Sequence, residues 1–284
     1  MQSITFPSGD RTLAGALFEP EAPTLSAVVF CHGAFEFKEN WFDYARRLAE
    51  RGLAALTFDF TGHGDSTGVR GTVDMPVWTT DVHAALTELQ CRGYERLGLV
   101  GWSSGGSAVI LVAADDPRVS CAVALDATVQ LIPPLSERIV YSLLSGLGRV
   151  KKALTGKPLT VSLVGELEKM TVAVDSEVNR RFKSDQRLIN LLSAGPMPGC
   201  LATVWCDVTG AARRIRVPFA VIHGQEDQLD LPHEGELLYE LLSGEKALYL
   251  IEGSGHAGHL DQKRDEIFEL MAGWFATHLA CAPA

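Results

Sequence analysis

Gly101-Trp102-Ser103-Ser104-Gly105 places one serine between small residues in a G-x-S-x-G pattern. At the joint between a strand and a helix, that pattern makes a sharp turn with the hydroxyl at its apex. Ser103 is the candidate nucleophile. A serine hydroxyl attacks poorly at neutral pH, so it needs a base to take its proton, and the base needs a partner to orient it. The chemistry this would support is acyl transfer through a covalent intermediate.

An acid and a base follow in chain order. Asp227 ends His223-Gly224-Gln225-Glu226-Asp227, just past the apolar run 217–222, where loops at the end of a parallel sheet converge on a site. His256 follows Glu252-Gly253-Ser254-Gly255, a turn small enough to present an imidazole. His259 is a rival base three residues on, and Glu226, Asp230 and Asp126 are rival acids. The order Ser103, Asp227, His256 is that of one hydrolase fold and differs from both protease orders. His256 would act as base and Asp227 would fix its tautomer. Acyl transfer also needs donors for a developing oxyanion. Cys31-His32-Gly33-Ala34-Phe35 ends an apolar strand, so the Ala34 and Ser104 N–H groups are the candidates, with His32 a structural turn residue. Phe35, Phe37, Trp102 and Trp205 are candidates for an apolar substrate pocket, each with core packing as the alternative.

The elements that would position these groups alternate. Apolar strand-like runs at 26–31, 53–60, 96–100 and 119–125 are separated by helical patterns at 41–51, 77–91 and 104–114. A hairpin is expected from 3–6 and 12–18, and strand and helix signals resume at 217–223, 232–242, 247–251 and 264–279. Runs apolar on both faces, joined by helices, specify a parallel sheet covered on both sides. The alternation breaks between 130 and 213. The expected organisation is an α/β core of residues 1–129 and 214–284 with a mainly helical insertion, 130–213. Within it, Leu135, Ile139, Leu143, Leu147, Val150 and Leu154 form one apolar helical stripe, interrupted by Gly146 and Gly148. The expectation is a helix packed on the core; the sharper alternative is a lid that meets lipid.

The chain has 284 residues, with 25 Lys+Arg against 35 Asp+Glu and a net charge of −10. An acidic surface argues against nucleic-acid binding. Residues 131–216 nevertheless carry 13 Lys+Arg against 7 Asp+Glu, and the remainder 12 against 28. No leader pattern or bilayer-length apolar run is visible, so a cytoplasmic protein without stable membrane insertion is expected. The cysteines at 31, 91, 121, 200, 206 and 281 have no metal-binding spacing and read as free thiols; 200 and 206 could pair under oxidation.

The stretches HGAFEFKENW (32–41), FDFTGHGDSTG (58–68), GWSSGG (101–106), HGQEDQLDLP (223–232) and GSGHAGHL (253–260) closely resemble the α/β-hydrolase superfamily. The likeness is to its capped branch of monoacylglycerol-lipase and serine-aminopeptidase-like enzymes. It implies that Asp59, His63, Gly64 and Ser66 shape the site without catalysing, that 130–213 is a cap, and that no cofactor is needed. Related dehalogenases and epoxide hydrolases carry aspartate where Ser103 stands. The expected function is a serine carboxylic-ester hydrolase acting on a small-molecule ester: an acylglycerol, another acyl ester or a bulky lactone such as a macrolide. Contact with a lipid interface would come through the cap. The alternatives are a thioesterase, amidase or acyltransferase with the same triad, or a receptor that binds without turnover.

Overall fold

The computed structural model describes residues 1–280. β1 (Gln2–Ser8) and β2 (Arg11–Phe18) form an antiparallel hairpin. There follow β3 (Ser26–Cys31), α1 (Phe42–Ala49), β4 (Ala54–Phe58), α2 (Met75–Cys91), β5 (Arg96–Trp102), α3 (Ser104–Asp115) and β6 (Val119–Leu125). Next come β7 (Gln130–Leu131), α4 (Leu135–Thr155), β8 (Leu159–Val161), α5 (Val164–Leu167), α6 (Ser176–Ser184) and α7 (Gln186–Leu192). β9 (Gly195–Met197), β10 (Cys206–Asp207) and α8 (Thr209–Ala212) precede the return to the sheet through β11 (Phe219–Gly224), α9 (Pro232–Leu241), β12 (Lys246–Ile251) and α10 (Arg264–His278).

The main sheet has eight strands in the order β1-β2-β4-β3-β5-β6-β11-β12. β2 runs antiparallel to β1 and β4; the strands from β4 to β12 are parallel. β7–β10 and β8–β9 pair separately. β3 shows why these strands read as unbroken apolar runs. Ala27, Val29 and Cys31 pack into the cluster holding Trp78, Val82 and Leu86 of α2, while Val28 and Phe30 join Tyr44 and Leu48 of α1 and Phe268 and Phe275 of α10. Each buried aromatic or aliphatic side chain contributes about 1.5–3 kcal/mol relative to exposure. α2 starts where Asp74 accepts a hydrogen bond from the Val77 N–H at 3.4 Å, one residue after Pro76.

α4 departs from the expected packing. Leu135, Leu143 and Leu154 are 70%, 64% and 81% exposed, and Ile139, Leu147 and Val150 are exposed too. Only Ser145 and Gly148 of this helix are buried. The two glycines do not break it. A Cβ on Gly148 would stand 2.2 Å from the Met197 carbonyl oxygen, so the glycine lets α4 descend onto β9. Its buried line is thus made of small residues, and its leucine stripe faces outward.

Among the described residues Cys31, Cys91, Cys121, Cys200 and Cys206 are free thiols, and only Cys91 is exposed. Cys281 lies outside them. No helix among the described residues is long and apolar enough to cross a membrane.

Candidate active site

The carboxyl ends of β3, β5, β6, β11 and β12 converge. Ser103 stands between β5 and α3 with φ 52° and ψ −124°, a conformation unfavourable for a residue with a side chain. The surroundings hold it there. Its N–H donates to the Leu125 carbonyl at 3.1 Å, and its carbonyl accepts from the Ser107 and Thr128 N–H groups at 3.2 and 3.4 Å. At Gly105 a Cβ would lie 2.2 Å from the His32 carbonyl oxygen, so the turn closes against β3 only with glycine there. The Ser103 hydroxyl is turned toward Asp230 and donates to its Oδ2 at 3.5 Å. No hydrogen bond joins it to His256 among the described residues.

His256 Nδ1–H donates to Asp227 Oδ2 at 2.8 Å. Asp227 Oδ1 accepts from the Leu229 and Asp230 N–H groups at 2.8 and 3.1 Å, so the carboxylate is held on both oxygens. Trp102 Nε1–H fixes the His256 backbone through its carbonyl, at 2.6 Å. Burial opposes charge on His256, but Asp227, Asp230 and Asp126 outweigh it and push its pKa up to about 9. Burial likewise opposes charge on Asp227; His256 and His223 hold its carboxyl well below the usual range.

The rival groups have other partners. Asp126 Oδ1 accepts from the Gly224 N–H at 2.7 Å, and its Oδ2 is buried without a partner. Burial, with the Asp227 charge, raises the Asp126 carboxyl to about 7. Glu226 Oε2 accepts from the Gly253 and Ser254 N–H groups at 2.8 and 3.1 Å, bracing the turn before His256. His259 Nε2 meets Glu36 Oε1 at 2.7 Å, and its ring stacks on Trp41 at 4.2 Å. Glu36 Oε2 in turn accepts from the Gly33 N–H at 3.3 Å and from Trp41 Nε1–H at 3.2 Å. His259 therefore braces the loop after β3.

That loop presents Ala34 to the same chamber as Ser104. Neither N–H has a hydrogen-bond partner among the described residues. The next N–H, of Phe35, is taken by His63 Nε2 at 3.2 Å, and the Phe60 N–H by His32 Nε2 at 3.0 Å. Burial lowers the pKa of both histidines, so they act as neutral acceptors. Asp59 is a turn residue: its oxygens accept from the Lys38 N–H, Lys38 Nζ and the Asp65 N–H at 2.9, 2.6 and 2.9 Å. Ser66 Oγ donates to the Asp59 carbonyl at 2.5 Å.

Ser103 and His256 line a chamber of about 220 Å³. Phe35 and Trp102 wall it from the sheet side; Met170, Phe182 and Leu188 close it from the segment between β6 and β11. Trp205 is elsewhere. It lines a separate cavity of about 650 Å³ with Leu111 and Arg149, which holds none of Ser103, Asp227 and His256. The Arg138 guanidinium lies over the Trp205 ring at 4.9 Å, so that side chain stacks within the insertion and does not touch the Ser103 chamber. Phe37 is buried under the Arg187 guanidinium, 4.1 Å from its ring.

Two positioning residues carry no sequence signal. Glu36 is one. Asp261 is the other: it accepts from the N–H groups of Val174, Asp175 and Gly255 at 2.7, 2.9 and 3.0 Å. It thereby ties the 172–175 segment to the His256 loop. Asp126, His223 and Asp227 bring ligand-type atoms within 4.8 Å of one another, as do Glu39, Asp59 and Asp65. In the first group Asp227 is engaged with His256, and in the second Lys38 Nζ supplies the positive charge.

The family model described as serine aminopeptidase, S33, matches residues 22–263. An Escherichia coli protein described as "Uncharacterized 31.7 kDa protein in traX-finO intergenic region" is 28% identical over 268 residues, covering 89% of this chain and 91% of its own. Homo sapiens monoglyceride lipase is 27% identical over 279 residues, covering 93% of this chain and 87% of its own. In fold, the chain resembles Paleococcus ferrophilus monoacylglycerol lipase, with a TM-score of 0.74, 23% identity and coverage of 94% and 99%. The α/β hydrolase GrgF from Penicillium sp. sh18 superposes with a TM-score of 0.84 at 19% identity, with 99% of each chain covered. The family model spans most of the chain, and the chain belongs to the serine aminopeptidase S33 family of α/β hydrolases as an ester-hydrolysing enzyme.

Proposed function

We propose that the enzyme hydrolyses carboxylic esters through a Ser103–His256–Asp227 triad and an acyl-enzyme. The observation that carries this is the pairing of His256 Nδ1 with Asp227 at 2.8 Å, in a chamber that also holds the apical Ser103. With Nδ1 committed to Asp227, Nε2 is the nitrogen that exchanges protons. The Ser103 hydroxyl turns from Asp230, gives its proton to His256 and attacks the ester carbonyl. The Ala34 and Ser104 N–H groups receive the oxyanion. Collapse expels the alcohol, protonated by His256. Water then gives a proton to His256 and attacks the acyl-enzyme; as the acyl–Oγ bond breaks, His256 returns the proton to Ser103 and the carboxylic acid leaves.

Residues 130–213 serve as a cap on a core of 1–129 and 214–284, since Met170, Phe182 and Leu188 complete the chamber. Apolar walls and a compact volume favour a short to medium acyl chain, and the monoglyceride lipase relatives favour an acylglycerol ester. The exposed leucine stripe of α4, with Arg138, Arg149, Lys151 and Lys152 on the same helix, gives the cap an apolar and basic surface suited to a lipid interface. Labelling with a fluorophosphonate, followed by peptide mapping, tests the nucleophile. The adduct is expected on Ser103 and lost in Ser103→Ala; an adduct on another residue would refute the assignment.

A further inference from the structure

One carboxylate in the chamber neither gives nor takes a proton in the reaction just described, although its Oδ2 lies 4.0 Å from His256 Nδ1. Asp230 lines the chamber beside Ser103 and His256, with its side chain 12% exposed. Its backbone is clamped at both ends: the N–H donates to Asp227 Oδ1 at 3.1 Å, and the carbonyl accepts from His223 Nε2 at 2.8 Å. The side chain is therefore held in place. Oδ2 accepts from Thr128 Oγ1 at 2.7 Å and from Ser103 Oγ at 3.5 Å. Oδ1 has no hydrogen-bond partner among the described residues and is not among the fully buried polar atoms. An acceptor is thus left open in a chamber whose other walls are largely apolar.

Such a group is costly to keep there unless something bonds to it. Holding Thr128 and placing charge near His256 both use Oδ2, which leaves Oδ1 unassigned. We propose that Asp230 is a specificity-determining residue that takes a hydrogen-bond donor, a hydroxyl or an ammonium, carried by the ester close to its reacting carbonyl. The distance to Ser103 sets the position of that donor. The carbonyl carbon bonds to Ser103 Oγ, so a donor that reaches Asp230 sits within a few bonds of it, on the acyl or the alcohol side. An anionic group at that place would meet Asp230 with Asp227 behind it and be rejected.

The inference rests on Ser103 as nucleophile, and its test separates the two. Release of acid is measured for ethyl butyrate, ethyl 3-hydroxybutyrate and 2-hydroxyethyl butyrate, with wild type, Asp230→Asn and Asp230→Ala. A hydrogen bond to a charged partner changes such ratios by about ten-fold or more. Wild type is expected to favour one hydroxylated ester over ethyl butyrate by about ten-fold in kcat/KM, and the ester that gains reports the side on which the donor lies. In Asp230→Ala that ratio falls to about one, with Asp230→Asn between. Each ratio is taken on one preparation, so the fraction of folded enzyme cancels. Absence of a preference in wild type, or a preference that survives Asp230→Ala, overturns the role of Asp230. Activity that survives Ser103→Ala would instead refute the reading of the site.

Discussion

Three carboxylates act on one imidazole, and that arrangement governs how the site responds to pH. His256 must be neutral to accept the serine proton. Burial favours the neutral form, but Asp227, Asp230 and Asp126 favour the charged one and win, placing the pKa at about 9. The value of kcat/KM should therefore rise with pH as His256 loses its proton, along a limb displaced from the ordinary 6.5 toward 9. Asp230→Asn removes one of the three charges, so the limb should move to lower pH. A pH–rate profile checks this, and a limb that stays or moves upward contradicts it. For the triad, Ser103→Ala and His256→Ala should each cost roughly 10⁴- to 10⁶-fold in kcat, and Asp227→Asn roughly 10⁴-fold. Steady-state kinetics decides the acid as well: a larger loss from Asp126→Asn than from Asp227→Asn would reverse that assignment. Ser103, Asp227 and His256 stood out in sequence as candidates because each lies in a glycine-containing turn after an apolar strand-like run. Asp230 was legible only as a rival acid, because its position against Ser103 depends on contacts 127 residues apart in sequence. Glu36 and Asp261 gave no signal for the same reason: their partners come from distant loops.

At the scale of elements, the sheet was more readable than the segment inserted between β6 and β11. A strand covered on both faces must be apolar along most of its length, and β3, β4 and β6 carry that signal, with Ser26, Thr57 and Ser120 their only polar residues. The helix expected at 41–51 is shorter, Phe42–Ala49: Trp41 belongs to a preceding 3-10 turn, and Glu50 and Arg51 to the turn that closes at Gly52, whose N–H donates to the Ala49 carbonyl. α4 was readable as a helix but not in orientation. Its leucine stripe pointed to burial, while the close approach at Gly148 placed the small-residue face inward. Two substitutions probe these supports. Phe275 of α10 is fully buried against the sheet, so Phe275→Ala should cost about 3–5 kcal/mol, read by chemical denaturation. Gly105→Ala puts a methyl group 2.2 Å from the His32 carbonyl oxygen. It should lower the melting temperature and the activity together, because the same contact closes the turn under Ser103. An unchanged melting temperature would show that the turn has slack.

Over the whole molecule, charge and apolar surface are unevenly placed. The basic residues concentrate in 131–216, and among the described residues an exposed apolar stripe runs along α4 within that span. If the cap meets lipid, anionic vesicles should retain the protein in a sedimentation assay, less so at high salt, where screening weakens the basic contribution. Leu143→Glu with Leu147→Glu should abolish retention while leaving hydrolysis of a water-soluble ester near wild type. Retention unaffected by the double substitution would move the contact elsewhere. Ester hydrolysis through Ser103 is the proposal on which the rest depends. Its most direct test is turnover of 4-nitrophenyl butyrate by wild type and by folded Ser103→Ala, side by side. Wild type should release 4-nitrophenol steadily and the variant only at near-background rate. Equal release by the two proteins would contradict it.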